Sequence, residues 1–136
     1  MQYLSIRKEQ HMKPTPYQEA LRYLQNAKDT LQKAGKDGKD YADIKYVKTA
    51  AVTAYGAVLL ALDEYLRRKE GTKFVKPKSI DDYRIRISKQ NKTLKSLLNS
   101  AYDTLHLAGY YHGTTSYNTI KRGFEDAYKI VEYIHN

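Results

Sequence analysis

The sequence contains no cysteine and no long apolar run. Without cysteine the chain has no disulfide, no thiolate metal ligand and no thiol nucleophile, as is usual for proteins of a reducing compartment. No stretch approaches the roughly 20 apolar residues that span a bilayer. Phosphate-loop, dinucleotide-binding and Gly-x-Ser-x-Gly fingerprints are missing as well. These absences exclude several enzyme classes and predict a cytoplasmic protein with no membrane partner.

The first residues do not have the pattern of a secretory signal. The short apolar patch Tyr3–Ile6 comes before Arg7 and Lys8, whereas a signal peptide places charge first and a longer apolar core second. Met12 begins a segment typical of a translation start. We therefore expect residues 1–14 to be an N-terminal extension without fixed structure and residues 15–136 to form one domain.

Most of the surplus positive charge lies in the middle of the chain. The formal net charge is +9, and residues 67–95 contribute about +8 of it. A concentrated positive field attracts acidic partners, including nucleic acid. A second interpretation is also open, because cations stabilise the last turn of a helix and cover solvated helix faces. The candidate basic patch consists of Arg67, Arg68, Lys69, Arg84, Arg86, Lys89, Lys92 and Lys95.

Apolar residues recur with helical spacing along nearly the whole chain and predict an all-α protein. The first helix begins after the capping residue Thr15 and ends at Gly35, where residues 35–39 form a turn. The second helix runs from Tyr41 to Lys69. No segment alternates for long enough to predict a strand.

Three further helices complete the predicted bundle. A short helix follows the capping residue Ser79, a fourth helix begins at Asn91 and ends at Gly109, and the last helix is capped by Thr115 or Ser116. The fold class that we expect is an antiparallel bundle of four long helices and one short helix.

Two glycines inside predicted helices indicate close packing. Glycine in a helix costs about 1 kcal/mol relative to alanine, so Gly56 and Gly123 need a compensating contact. A second helix that approaches closely supplies such a contact, either within the chain or across a homodimer.

The densest group of polar and aromatic residues surrounds Gly109. Asp103 and His106 are three residues apart, so on an α-helix they share a face and can form a hydrogen bond. Such a pair can act as a general base, but a histidine near a helix C-terminus is more often structural. The candidate ligand-binding residues are Asp103, His106, Tyr110, Tyr111 and His112.

The histidines do not have the spacing of metal ligands. The chain has 4 histidines, and none is paired with another at i and i+4 on one predicted helix. Asp103 and His106 offer two ligands, but the spacing implies no third. We therefore expect neither a metal site nor a cofactor.

The segment from Ala101 to Tyr111, preceded by a long alanine-rich helix, resembles small bacterial HEPN-like bundles, and within them an uncharacterised branch of unknown function. The resemblance implies a helical bundle and a homodimer. Several families of this kind are RNA-cleaving toxins or partners of a nucleotidyltransferase.

Their ribonuclease members carry an arginine followed, after four to six residues, by a histidine. This motif is absent here, because Asn99, Ser100 and Ala101 precede His106 at the required positions and residues 105–107 precede His112.

The function that we predict is therefore binding without catalysis. The leading hypothesis is a homodimeric interaction module in a multiprotein or toxin–antitoxin-like setting, with a protein partner. The alternatives are a basic RNA-binding domain that uses the basic patch, and a degenerate ribonuclease that uses Asp103, His106 and His112.

Overall fold

Five helices carry most of residues 13–135, which are the part of the chain that this computed structural model describes. They are α1 (Pro16–Gln32), α2 (Ile44–Glu70), α3 (Ile80–Ser88), α4 (Lys92–Ala101) and α5 (Tyr117–Tyr133). A 3-10 turn, Gly71–Lys73, follows α2, and a π-helical segment, Tyr102–Tyr111, continues α4. The prediction of a mainly helical protein is thereby confirmed. The predicted N-terminal extension lies outside the described residues except for Lys13 and Pro14.

Side chains cap the helices where the sequence predicts it. The Thr15 hydroxyl accepts a hydrogen bond from the backbone N–H of Gln18, whose side-chain oxygen accepts one from the backbone N–H of Thr15. This reciprocal pair satisfies backbone donors that have no partner inside a helix. Ser79, Asn91 and Ser116 cap α3, α4 and α5, and each accepts one hydrogen bond from the backbone N–H three residues later.

A small β-hairpin replaces the predicted turn at residues 35–39. Its strands are β1 (Lys36–Asp37) and β2 (Asp40–Tyr41), with Lys36 opposite Tyr41. Gly38 has a φ of 65° in the connection, a backbone conformation that glycine adopts without strain. The predicted start of the second helix, Tyr41, lies in this hairpin, and the helix begins at Ile44.

The fourth helix does not end at Gly109 as the sequence predicts. The chain stays helical through Tyr111, with wide turns in which the backbone N–H of His112 donates to the carbonyl of Leu107 at 2.9 Å. Five-residue hydrogen bonds of this kind define a π-helix, which is rare and is often found at functional sites. Gly109 lies inside this segment and is buried.

Helix α2 lies at the centre of the bundle. It packs against α1, α5 and the π-helical segment, and five of its twelve buried residues are alanine. Small side chains allow neighbouring helices to approach closely, while Leu62 and Leu66 fill the wider spaces near the C-terminal end of the helix. No helix within residues 13–135 combines the length and apolar character that crossing a bilayer requires.

Glycines mark the closest helix contacts, and these contacts lie within the chain. A Cβ atom on Gly109 would lie 2.6 Å from the Cβ of Ala51, and one on Gly123 would lie 2.6 Å from Cδ2 of Leu105. Gly56 faces the ring of Tyr23, at 3.2 Å from the corresponding Cβ position. Of the two alternatives for Gly56 and Gly123, the structure shows the intrachain one.

Candidate functional site

A pocket of about 280 Å³ opens between α2, the loop before α3 and the π-helical segment. We call it the aromatic pocket, since tyrosine and histidine rings form much of its wall. Two exposed lysines, Lys76 and Lys78, lie on either side of the buried Pro77 and line it as well. The wall residues are Tyr55, Leu59, Ile80, Tyr83, Tyr102 and His106.

Three rings of the π-helical segment form a ladder beside this pocket. The ring of His106 is stacked on that of Tyr102 at 5.0 Å between centroids, and Tyr110 follows at 6.0 Å. From α2, the ring of Tyr55 lies 5.2 Å from His106 and 6.0 Å from Tyr102. Aromatic rings attract one another at such separations. His106 is therefore held by three neighbouring rings, and it also lines the pocket.

A buried carboxylate lies behind the pocket. The hydroxyl of Tyr83 donates a hydrogen bond of 2.6 Å to Oδ1 of Asp63, and the Lys76 ammonium lies 3.8 Å from Oδ2. A buried carboxylate is costly without such partners. Burial and the hydrogen bond to Asp63 raise the pKa of Tyr83. Burial likewise raises the pKa of Tyr55, so both phenols keep their protons at neutral pH.

The structure brings together only part of the predicted ligand-binding cluster. His106 and Tyr110 lie in the ring ladder, and His106 lines the aromatic pocket. Asp103 is exposed, Tyr111 is 68% exposed, and the ring of His112 packs edge-on against Tyr111 at 5.0 Å. These three residues and Tyr110 do not line the aromatic pocket, so His106 is the one predicted residue that does.

The widened helix explains why Asp103 and His106 do not pair. A three-residue spacing puts side chains on one face of an α-helix, but a π-helical turn needs more residues to return to the same face. The described residues contain no hydrogen bond between this carboxylate and this imidazole. Residues four apart remain neighbours, as Tyr102, His106 and Tyr110 show.

The arginines of the basic patch are paired with carboxylates. Arg67 and Arg68 both bind Glu64 at 2.9 Å. Arg84 binds Asp81, and Arg86 binds Glu70 at 2.6 Å and Asp82 at 3.3 Å. These ion pairs hold the arginines in place, but most of the carboxylates lie within residues 67–95 and are already counted in the charge of about +8, so the net positive field remains. Lys69, Lys89, Lys92 and Lys95 form no ion pair within residues 13–135.

Several residues of the aromatic pocket were not predicted as site residues. They include Tyr55, Tyr83, Lys76 and Lys78. One signal was available, since Asp63 places a carboxylate on the apolar face of α2, between Leu62 and the core residue Leu66. A charge at a core position indicates a buried polar partner.

A second cleft lies beside the β-hairpin and has a volume of about 400 Å³. Its aromatic wall is already occupied, because the Lys36 ammonium lies 3.6 Å from the ring centroid of Tyr117 and 4.8 Å from that of Tyr41. A cation over a ring face competes with any flat ligand for that face. The aromatic pocket is therefore the better candidate site.

In the described part of the chain, no three His, Asp or Glu side chains converge in a way that would hold a metal ion. The titratable groups at the aromatic pocket are three phenols, one imidazole and two ammonium groups, with Asp63 behind them. This arrangement can bind and orient a ligand, and it offers no carboxylate partner for His106.

The chain is similar to a family of domains and to a protein of known structure. A family model described as a domain of unknown function (DUF5618) matches residues 15–136. The solved structure of a protein of unknown function from Dyadobacter fermentans is similar, with a TM-score of 0.77 and 38% sequence identity over 88% of this chain and 92% of that chain. No curated protein matches the sequence.

Proposed function

This chain belongs to the DUF5618 family of domains of unknown function, and from its geometry we propose that it is a non-enzymatic module that binds a small ligand in the aromatic pocket. The observation that carries the proposal is the position of the ring ladder. Tyr102 and His106 are only partly buried, and they border an open cavity instead of filling the core. Concave sites with aromatic walls and a few polar groups are typical of ligand binding.

The surroundings of His106 support binding rather than catalysis. A general base needs a proton to abstract and a partner that orients the imidazole, which is most often a carboxylate. Here rings hold the imidazole, while Asp103 points to solvent and His112 packs elsewhere. These positions remove the grouping that the ribonuclease alternative requires. RNA binding by the basic patch stays a prediction, with its lysines as the available cations.

The binding experiment uses protein-observed NMR on the full chain with a set of single-ring aromatic compounds. We expect chemical-shift changes that concentrate at Tyr55, Tyr102 and His106. His106→Ala should abolish them, whereas the matched control Tyr111→Ala, at an exposed position outside the pocket, should leave them unchanged. Shifts confined to the hairpin cleft, or no shifts with any compound, would contradict the proposal.

We also propose that the module is a homodimer, as the resemblance to HEPN-like bundles implies. Val52 is 39% exposed one turn from Gly56, and the neighbouring ring of Tyr23 is 37% exposed, so an apolar face remains on the outside of α1 and α2. Such faces are frequently interfaces. The packing of Gly56 and Gly123 adds no support, because it is satisfied within the chain.

Size-exclusion chromatography with light scattering tests the dimer. We expect twice the chain mass of 15.8 kDa, and conversion to the monomer by Val52→Asp. The control Val75→Asp changes a residue that is 66% exposed in the loop before α3 and should leave the dimer intact. A monomeric wild-type protein at high concentration would refute this part of the proposal.

The cellular setting that we propose is the cytoplasm, within a multiprotein or toxin–antitoxin-like system. The absence of cysteine supports the compartment. Fractionation of cells that express a tagged full chain tests it, and recovery outside the cytoplasmic fraction would refute it.

A further inference from the structure

The aromatic pocket has the chemistry for one class of ligand, and this inference rests on the binding function proposed above. We propose that the pocket takes a planar aromatic ring that carries an acidic group, either a carboxylate or a phosphate. Three features select this class: the rings of the wall, the size of the cavity and the lysines beside it.

The wall favours a flat aromatic ring. Tyr55, Tyr102 and His106 present three ring systems to one cavity, with centroids 5.0–6.0 Å apart. The aliphatic side chains of Leu59 and Ile80 line it as well. A planar ring gains dispersion and quadrupole attraction from such a wall, whereas a flexible polar chain gains neither.

The volume limits the ligand to one or two fused rings. A cavity of about 280 Å³ is at the lower end of the size range of ligand pockets. It has no room for a stretch of polymer. A free small molecule therefore fits better than a nucleic-acid strand.

The lysines select a negative substituent. Lys76 and Lys78 are exposed residues on either side of Pro77, and a residue before proline is biased to an extended backbone. Both residues line the pocket. The Lys78 side chain has no ion pair among the described residues, so its ammonium can pair with an acidic ligand group.

Nearby carboxylates do not cancel this charge. Asp63 is buried, accepts the Tyr83 hydroxyl and takes only a 3.8 Å contact from Lys76, whose side chain is 73% exposed. Asp82 is paired with Arg86. A cationic ligand, the usual guest of an aromatic cage, would meet two ammonium groups on entry.

The test is calorimetric titration of the full chain with matched probes. The acidic probes are 4-hydroxybenzoate and adenosine 5′-monophosphate, which distinguish the carboxylate and phosphate sources of the charge. Methyl 4-hydroxybenzoate and adenosine are their uncharged counterparts, and inorganic phosphate and tetramethylammonium are the controls without a ring. We expect at least one acidic probe to bind tenfold or more tightly than its neutral counterpart.

Variants locate the charge effect. Lys78→Met, which leaves the Lys76–Asp63 contact intact, should weaken the acidic probe about fivefold or more and leave its neutral counterpart unchanged. Lys76→Met with Lys78→Met should remove the preference completely. The control Lys89→Met with Lys92→Met gives the same net charge at positions outside the pocket and should have no effect.

The possible outcomes distinguish failure of this inference from failure of the proposed binding function. Equal binding of acidic and neutral aromatic probes, or tight binding of tetramethylammonium, overturns this inference and leaves the ligand-binding function standing. An equal loss in the Lys89 and Lys92 control also overturns it, because the effect would then be one of overall charge. Failure of every aromatic probe, neutral ones included, refutes the binding function and this inference together.

Discussion

The two sides of the π-helical segment differ in how closely they are packed. On one side, Leu105 is completely buried against α5 and Gly109 lies where even a methyl group would collide with Ala51 of α2. On the other side, Tyr102 and His106 are partly exposed and border an open cavity. The same turns of helix thus carry a tightly packed face and a face that packing leaves unfilled.

The difference separates residues that the packing of the fold requires from residues that it does not require. Leu105 and Gly109 are fixed by close contacts, since protein interiors are packed at crystal-like density. The rings of the ladder contact each other, yet a cavity remains between them and the loop before α3. A face with unfilled space and aromatic walls is available for a ligand.

The largest effect should separate adjacent residues of this segment. Leu105→Ala removes a fully buried side chain and should lower the free energy of unfolding by about 2–5 kcal/mol. His106→Ala loses ring contacts only and should cost about 0.5–1.5 kcal/mol. Chemical denaturation monitored by circular dichroism measures both values. Equal losses in the free energy of unfolding would contradict the difference in packing between the two faces.

A pair of glycine substitutions sharpens the contrast between packed and open surroundings. Gly109→Ala places a methyl group against the Cβ of Ala51 and should destabilise the fold by about 1–3 kcal/mol. Gly56→Ala meets only the exposed ring of Tyr23, and the gain of up to about 1 kcal/mol in helix propensity should offset the displacement. A lower denaturation midpoint for Gly56→Ala than for Gly109→Ala would contradict this expectation.

The polar contact behind the pocket should have a similar or smaller effect. Tyr83→Phe removes the only hydroxyl that donates to Asp63 within residues 13–135, and it should cost about 1–3 kcal/mol, since a buried carboxylate oxygen loses its donor. Tyr110→Phe changes an exposed hydroxyl and should stay within about 0.5 kcal/mol of the wild type. Identical stabilities would show that Asp63 does not depend on the phenol.

Alkaline pH should also lower the free energy of unfolding. The pKa values of Tyr55 and Tyr83 are raised in the folded protein, so the unfolded chain releases these protons first as pH rises. The stability that the two phenols supply is fully present below about pH 10 and falls above it, by at most about 1.4 kcal/mol per pH unit for each.

Unfolding measured between about pH 8 and pH 12 checks this slope. Tyr83→Phe should flatten it, and Tyr111→Phe, at a position that is 68% exposed, should leave it unchanged. A slope that is the same in all three proteins would exclude the buried phenols as its cause.

Much of the fold could be predicted because its signals are local. The caps at Thr15, Ser79, Asn91 and Ser116 depend on residues three positions away, and amphipathic spacing depends on the next turn. The prediction was wrong at the hairpin, where a two-residue strand leaves too short a pattern to recognise. It was also wrong at Gly109, where a glycine that is typical of a helix end serves close packing.

The candidate site could be predicted only in part. His106 and Tyr110 were identified from their density of polar and aromatic neighbours in the sequence. Asp103 was included because α-helical spacing was assumed, and the wider π-helical turn removes that relation. Glu64 lies three and four residues before Arg67 and Arg68 on one helix, so these pairs could have been predicted from spacing. The pair of Arg86 with Glu70, which are 16 residues apart, required the placed helices.

The sequence by itself determined the helical class, the positions of the caps and the apolar face of each helix, since these follow from propensity and periodicity within one or two turns. The tertiary structure decided the pair of Arg86 with Glu70, the close packing of Gly109 against Ala51 and the aromatic pocket. Each of these depends on side chains that are far apart in the chain and meet only after packing. Their energies come from close contact and burial, which no local pattern specifies.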